Sequence, residues 1–177
     1  MKFDFSVNLT ESDYLEFNKF YMLKSPYGEK SIRNFRIAFL IIFGLIALIN
    51  FITKDFTSAI TSIVICVLFQ LFLKRFLTSS IKSTVKMLKK KGKIPFSPSS
   101  YIEFLDDCFV ETTDTNKTEQ KYSSIERISI IENKYIYIHT NSVQAYIIAN
   151  DSFKSEEQYN DFCNFLKTVC SEINLYK

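Results

Sequence analysis

Residues 37–73 read IAFLIIFGLIALINFITKDFTSAITSIVICVLFQLFL, and this stretch decides the architecture. Ile37 to Ile52 holds one strongly polar residue, Asn50, and Phe56 to Leu73 is uncharged throughout. As a helix the second run is ~27 Å long, close to the ~30 Å hydrocarbon core of a bilayer. The first run is shorter, but Phe35 and Thr53 extend it and Arg36 can snorkel toward the interface. A helix that is apolar all round needs apolar surroundings, and the rest of the chain offers no comparable helices to wrap two of them. The expectation is a transmembrane hairpin over residues 35–73, turning at Thr53-Lys54-Asp55.

Charge on either side of the hairpin orients it. Lys24, Lys30, Arg33 and Arg36 precede the first run, and only Lys54 lies between the two. Lys74, Arg75, Lys82, Lys86, Lys89, Lys90, Lys91 and Lys93 follow the second run with no acid among them. The positive-inside rule then expects a multi-pass protein of the cell membrane with both termini cytosolic. No signal peptide is expected, because the first apolar run begins only near residue 35 and no small-residue cleavage site closes it. Residues 74–91 read as a helix with Leu77, Ile81, Val85 and Leu88 on one side. Basic side chains near a bilayer surface attract anionic lipid at about 1 kcal/mol each. The bland reading of this tract is a topology signal with nonspecific attraction; the sharper one is headgroup recognition. Gly92, Pro95 and Pro98 mark a joint, so the basic stalk and joint occupy residues 74–99.

Within the second run Ser58, Ser62, Cys66 and Gln70 recur every four residues and share one helix face. With Asn50 near the outer end of the first run, they are candidates for helix packing in the membrane, inside the hairpin or between copies in a homo-oligomer. A transport path would want an ionisable group midway, and neither run has one.

The flanking regions are of another kind. Phe3, Phe5, Val7 and Leu9 alternate with polar residues, as on a half-buried strand, and Thr10-Glu11-Ser12-Asp13 opens a helix to about Lys24 that Ser25-Pro26-Tyr27-Gly28 ends. From residue 100 the pattern is β-rich. Six short strands are expected: Tyr101–Asp106, Phe109–Thr113, Glu119–Tyr122, Ile125–Glu132, Tyr135–Thr140 and Val143–Ala149. Asp106-Asp107, Asp114–Asn116, Asn133 and Asn141-Ser142 supply turns. Ser155-Glu156-Glu157-Gln158 is a capping box before a helix with Tyr159, Phe162, Leu166, Val169 and Ile173 at helical spacing. Antiparallel strands closed by one amphipathic helix describe an α+β, pleckstrin-homology-like roll. The N-terminal strand would add a seventh strand if it folds back. The expected division is 1–34, 35–73, 74–99 and 100–177.

The chain resembles the YcxB-like family, uncharacterised bacterial membrane proteins. Tyr101-Ile102-Glu103-Phe104, Asp106-Asp107, Phe109, Tyr122-Ser123-Ser124-Ile125, Tyr135-Ile136-Tyr137-Ile138 and Ala145-Tyr146-Ile147-Ile148 carry the resemblance, with Phe153 and the Phe162–Leu166 helix. Leu9-Thr10-Glu11-Ser12-Asp13-Tyr14-Leu15 and the hairpin fit the same group. The chain departs from it at Cys108, where Gly is usual, and at Ala149, where Pro is common. The resemblance implies no established activity.

Reactive constellations are not visible. Adjacent strand residues point to opposite faces, so Asp106 and Asp107 read as a turn rather than a metal or proton-sharing pair. His139 is the single histidine and reads as a packed or solvated strand residue. Cys66, Cys108, Cys163 and Cys170 form no Cys-x-x-Cys pair, and a reducing compartment with free thiols is expected. Gly28, Gly44 and Gly92 are too scattered for a phosphate or dinucleotide loop. No catalytic, cofactor or metal site is expected. The net charge of +3 divides into the basic tract and an acidic 101–177 region, whose thirteen acids and seven bases argue against nucleic acid as a partner. The functional expectation is a noncatalytic, membrane-tethered cytosolic interaction or sensing module with a protein partner. The alternative is a small membrane transport or envelope-immunity component acting through oligomerised hairpins.

Overall fold

The computed structural model describes residues 3–92, 97–132, 134–141 and 144–176. The expected basic position Lys93, the joint residue Pro95, the turn residues Asn133 and Ser142, and Val143 lie outside them. The chain divides into two compact units, Met1–Tyr14 with Ile94–Lys177, and Leu15–Lys93. It is an α+β protein with two long apolar helices.

In the first unit β1 (Phe3–Asn8) pairs antiparallel with β2 (Ser99–Phe104), bringing Phe3 opposite Phe104 and Asn8 opposite Ser99. β3 (Cys108–Thr113) and β4 (Lys117–Lys121) complete a meander in the order β1-β2-β3-β4. The period-two pattern of β1 is realised as strict alternation, with Phe3, Phe5 and Val7 buried and their neighbours exposed. Asp106-Asp107 form the β2–β3 turn, which Leu105 N–H closes on Cys108 O at 2.8 Å. Cys108 is thus the first residue of β3 and is buried, so no glycine is required there.

The second sheet is built from β5 (Arg127–Ile131), β6 (Tyr135–His139) and β7 (Ala145–Ala149), with β8 (Ile173–Tyr176), in the order β7-β6-β5-β8. Helix α4 (Glu156–Val169) leads from β7 to β8. Phe162 and Leu166 of α4 are fully enclosed among Phe3, Phe5, Ile102, Phe104, Phe109 and the inward isoleucines of β5 to β7. Ser155 caps α4 by accepting from Gln158 N–H at 3.1 Å, while Gln158 Oε1 accepts from Lys154 N–H at 2.7 Å.

Two sequence expectations for these stretches change. Tyr122 leaves the strand and opens a 3-10 turn with Ser123 and Ser124, its hydroxyl donating to Leu105 O at 2.6 Å. The helix read as running through Ile173 stops at Val169. Cys170 is its extended C-cap, and Ile173 pairs with Ile128 in a parallel β8 that was not expected. Ser25-Pro26-Tyr27-Gly28 ends the preceding helix, as expected, and also starts the next one. Ser25 is the N-cap of the next helix, accepting from Gly28 N–H at 3.0 Å, with Pro26 in its first turn.

In the second unit α1 (Glu11–Leu23, which begins in the first unit) meets α2 (Pro26–Ile52) at a tight corner. A Cβ at Gly28 would lie 2.4 Å from the carbonyl oxygens of Tyr21 and Met22, so only glycine fits there. α2 ends in a Schellman motif. Lys54 adopts φ 63°, Asp55 N–H donates to Asn50 O at 2.9 Å, and Lys54 N–H donates to Phe51 O at 3.1 Å. Asp55 then caps α3 (Phe56–Lys90), accepting from Ser58 N–H at 3.1 Å. The basic tract is therefore no separate stalk. It continues the same 35-residue helix as the apolar run. α2 and α3 lie antiparallel, with Phe39 stacked on Phe69 at 3.7 Å between ring centres.

Candidate interaction groove

The polar stripe expected on α3 sits largely in the α2–α3 seam. Ser62 and Cys66 are buried, Ser58 and Gln70 half-buried, and Ala59 and Leu73 continue the buried line. Ser62 Oγ does not cross the seam but donates to Ser58 O of its own helix at 2.9 Å. Gln70 does cross: its Nε2 donates to Arg36 O at 3.2 Å, and Arg36 Nη2 donates back to Gln70 O at 3.4 Å. Arg36 thus turns into the hairpin rather than away from it. Asn50 is half-buried, and its carbonyl serves the Schellman turn. Around this seam nearly every large side chain from Phe35 to Phe76 is exposed, an apolar surface far beyond the few hundred Å² usual on a soluble monomer. Both helices are long and apolar enough to cross a membrane, with mean hydropathies of 2.5 and 2.2. Lys74, Arg75, Lys82, Lys86, Lys89, Lys90 and Lys91 are all exposed.

His139 and Cys108, the side chains weighed for chemistry, lie in different sheets of the first unit. His139 is fully buried on the face of β6 opposite the isoleucine core, beside Tyr137. Arg127 Nη2 lies 3.4 Å from His139 Nδ1, and Ser129 Oγ lies 3.2 Å from Nε2. A guanidinium can only donate, so Nδ1 is the acceptor and Nε2 carries the hydrogen toward Ser129. This is the reverse of a serine–histidine nucleophile pair, in which Nε2 must accept. Burial, reinforced by the Arg127 cation, lowers the imidazole pKa to about 4. Cys108 belongs to the other sheet, and burial with the Glu119 and Asp107 carboxylates pushes its thiol up. Burial does the same for Cys163. Both cysteines are protonated at neutral pH and poor nucleophiles. The four cysteines are free, and among the described residues no three His, Cys, Asp or Glu side chains group to hold a metal ion.

A concavity of the first unit lies where α4 begins. It has a volume of about 730 Å³ and is lined by the apolar Ile130, Phe153, Tyr159 and Leu175 together with Glu132 and Glu156, and by Asn150, Ser155, Asn160 and Tyr176. Leu175, on β8, is 78% exposed. Among the described residues no lysine or arginine lines the groove. Apolar and polar side chains contribute equally to its lining. Sequence reading missed it, because its lining comes from three separated stretches, 130–132, 150–160 and 175–176, and the start of β8, Ile173, read as helix. The capping box at Ser155 did mark where the α4 wall begins.

Residues 104–166 match the family model described as YcxB-like protein, the family that the residue patterns resembled. The match begins at the last residue of β2 and covers β3 to β7 and most of α4; β1, the helical hairpin and β8 lie outside it. No curated protein and no solved structure matches the chain.

Proposed function

We propose that this chain is a noncatalytic, membrane-tethered interaction module, in which the α2–α3 hairpin anchors a pleckstrin-homology-like domain that binds a protein partner. The observation carrying this reading is the groove at the start of α4, where the exposed Leu175 lies among Ile130, Phe153 and Tyr159 beside the carboxylates of Glu132 and Glu156. The pleckstrin-homology-like description is supported by the four-stranded meander and the β5–β6–β7 sheet closed by α4. Fold alone fixes no ligand, and a groove with two carboxylates and no lysine or arginine among the described residues disfavours an anionic headgroup there.

The pairing of β1 with β2 supports a shared side for the two ends of the hairpin. One strand precedes α2 and the other follows α3, so a hairpin crossing a bilayer must return the chain to the side it left. The lysines following α3's apolar run favour the cytosol as that side. The rival reading, transport through oligomerised hairpins, loses support because Gln70 is engaged inside the hairpin and Ser62 on its own helix.

The test is crosslinking in native membranes, comparing the full chain with Glu132→Lys/Glu156→Lys. Exposed carboxylates can be replaced without disturbing the core, so both chains stay folded and resist alkaline carbonate extraction. Loss of specific partners from the variant is the expected result. Identical partner sets would sink the reading.

A further inference from the structure

β8 is weakly held for a strand joined to the core. It has four residues, and none is buried, whereas four of the five residues of β5 beside it are. Backbone bonds hold it: Ile128 N–H donates to Glu172 O at 2.8 Å and Glu132 N–H to Tyr176 O at 2.9 Å. Ile173 reaches the core, but Leu175, two residues on, lines the open groove. Without β8, the edge of β5 would present a row of unpaired N–H and C=O groups beside that groove. An exposed sheet edge next to side-chain pockets is how extended peptides are recognised. The main chain supplies affinity and alternate side chains supply selectivity.

We propose that Ile173–Tyr176 is a built-in occupant of a peptide-binding edge, and that the partner is an extended basic segment that pairs with β5 in its place. The inference rests on the groove reading above and names the partner's chemistry. A large apolar side chain of the partner enters at the Leu175 position. A basic side chain lies toward Glu132, which the register places next after Ile131, opposite Tyr176. Glu132 and Glu156 supply the complementary charge, and the 101–177 region as a whole carries thirteen acids against seven bases. A resident strand lowers the apparent affinity of any competitor by the fraction of time the edge is closed. The partner's extra contacts must therefore exceed those of β8.

The experiment uses the full chain in detergent micelles and, as probe, the synthetic peptide of residues 171–177, Ser-Glu-Ile-Asn-Leu-Tyr-Lys. Amide hydrogen exchange comes first. Residues 174–176 should exchange roughly 30-fold or more faster than β6, since local opening needs only β8 to detach. A chain lacking residues 171–177 should bind the labelled peptide about tenfold tighter than the intact chain. A chain locked by an Ile131→Cys/Tyr176→Cys disulfide should not bind it. A Lys177→Glu peptide should bind the shortened chain roughly fivefold more weakly at low salt.

Protection of β8 equal to that of β6 would overturn the proposal. So would a folded, shortened chain that ignores the peptide or does not discriminate its charge. If the shortened chain fails to fold, exchange in the intact chain and the comparison of intact with locked chain decide. Partner loss by Glu132→Lys/Glu156→Lys without peptide binding sinks this inference alone. Peptide binding without partner loss sinks only the broader reading.

Discussion

His139 shows how a residue that sequence reading left open between packed and solvated is settled by its neighbours. Its period-two placement with Tyr135 and Tyr137 was legible, but the burial of that second face was not, because nothing in β6 itself says what covers its outer side. Arg127 and Ser129, cross-strand on β5, fix its tautomer and keep it neutral. The consequence is a pH dependence with a definite sign. In the unfolded chain the imidazole takes up a proton near its ordinary value of 6.5, whereas in the folded chain it resists until about 4. Stability is full above pH 6.5 and falls as pH drops from there toward 4, by about 2–3 kcal/mol once partial solvation is allowed for. His139→Gln, which can still accept from Arg127 and donate to Ser129, should flatten this window. Thermal unfolding of both chains between pH 7 and pH 4 checks it, and an unchanged slope in the variant would refute the assignment.

Among the elements, α3 changes how the basic tract is understood. The lysines were legible as a charge run beside an apolar run, but whether helix continued through both was not, since no capping or breaking residue separates Leu73 from Lys74. Continuity sets distances. At about 1.5 Å per residue, Lys82 stands ~12 Å beyond Lys74 along the axis, and Lys90 ~24 Å. The screening length in cells is about 8 Å, so only Lys74 and Arg75 lie where headgroup charge is felt strongly if α3 crosses steeply. Photoreactive anionic lipid in nanodiscs should label the Lys74–Arg75 region several-fold more than Lys86–Lys90; uniform labelling along the tract would contradict this geometry. The same comparison of local signals explains β8. Leu166, Val169 and Ile173 keep helical spacing, and only the extended Cys170 between them breaks it. A single misplaced turn of helix was enough to hide both a strand and part of the groove lining.

For the whole molecule, the long-range pairing of β1 is the decisive feature. Its alternation was legible, and its partner was not, because about ninety residues separate Asn8 from Ser99 and periodicity carries no information on pairing at that range. Phe3, Phe5 and Val7 are among the most buried side chains of the first unit, and Phe5 and Phe3 stack edge-on against Phe162 at 4.7 and 5.2 Å. Removing one such side chain typically costs about 2–5 kcal/mol, and a whole domain is stable by only about 5–15 kcal/mol. A chain lacking residues 3–8 should therefore lose the fold of its β-rich unit while keeping the hairpin. Limited proteolysis in detergent should cut residues 97–176 at least about tenfold faster than in the intact chain, with α2 and α3 still protected. Equal resistance would mean that β1 is dispensable.

The same pairing sets an order of events during synthesis. The first strand leaves the ribosome long before its neighbour in the sheet exists, because the entire helical hairpin is made in between. At about 5–20 residues per second, that wait is on the order of 5–20 s. For that interval an unpaired, phenylalanine-rich segment must be kept from aggregating. Completion of the β-rich unit is thus timed by the hairpin, and a nascent chain whose hairpin stalls would expose its β1 segment to holdase chaperones.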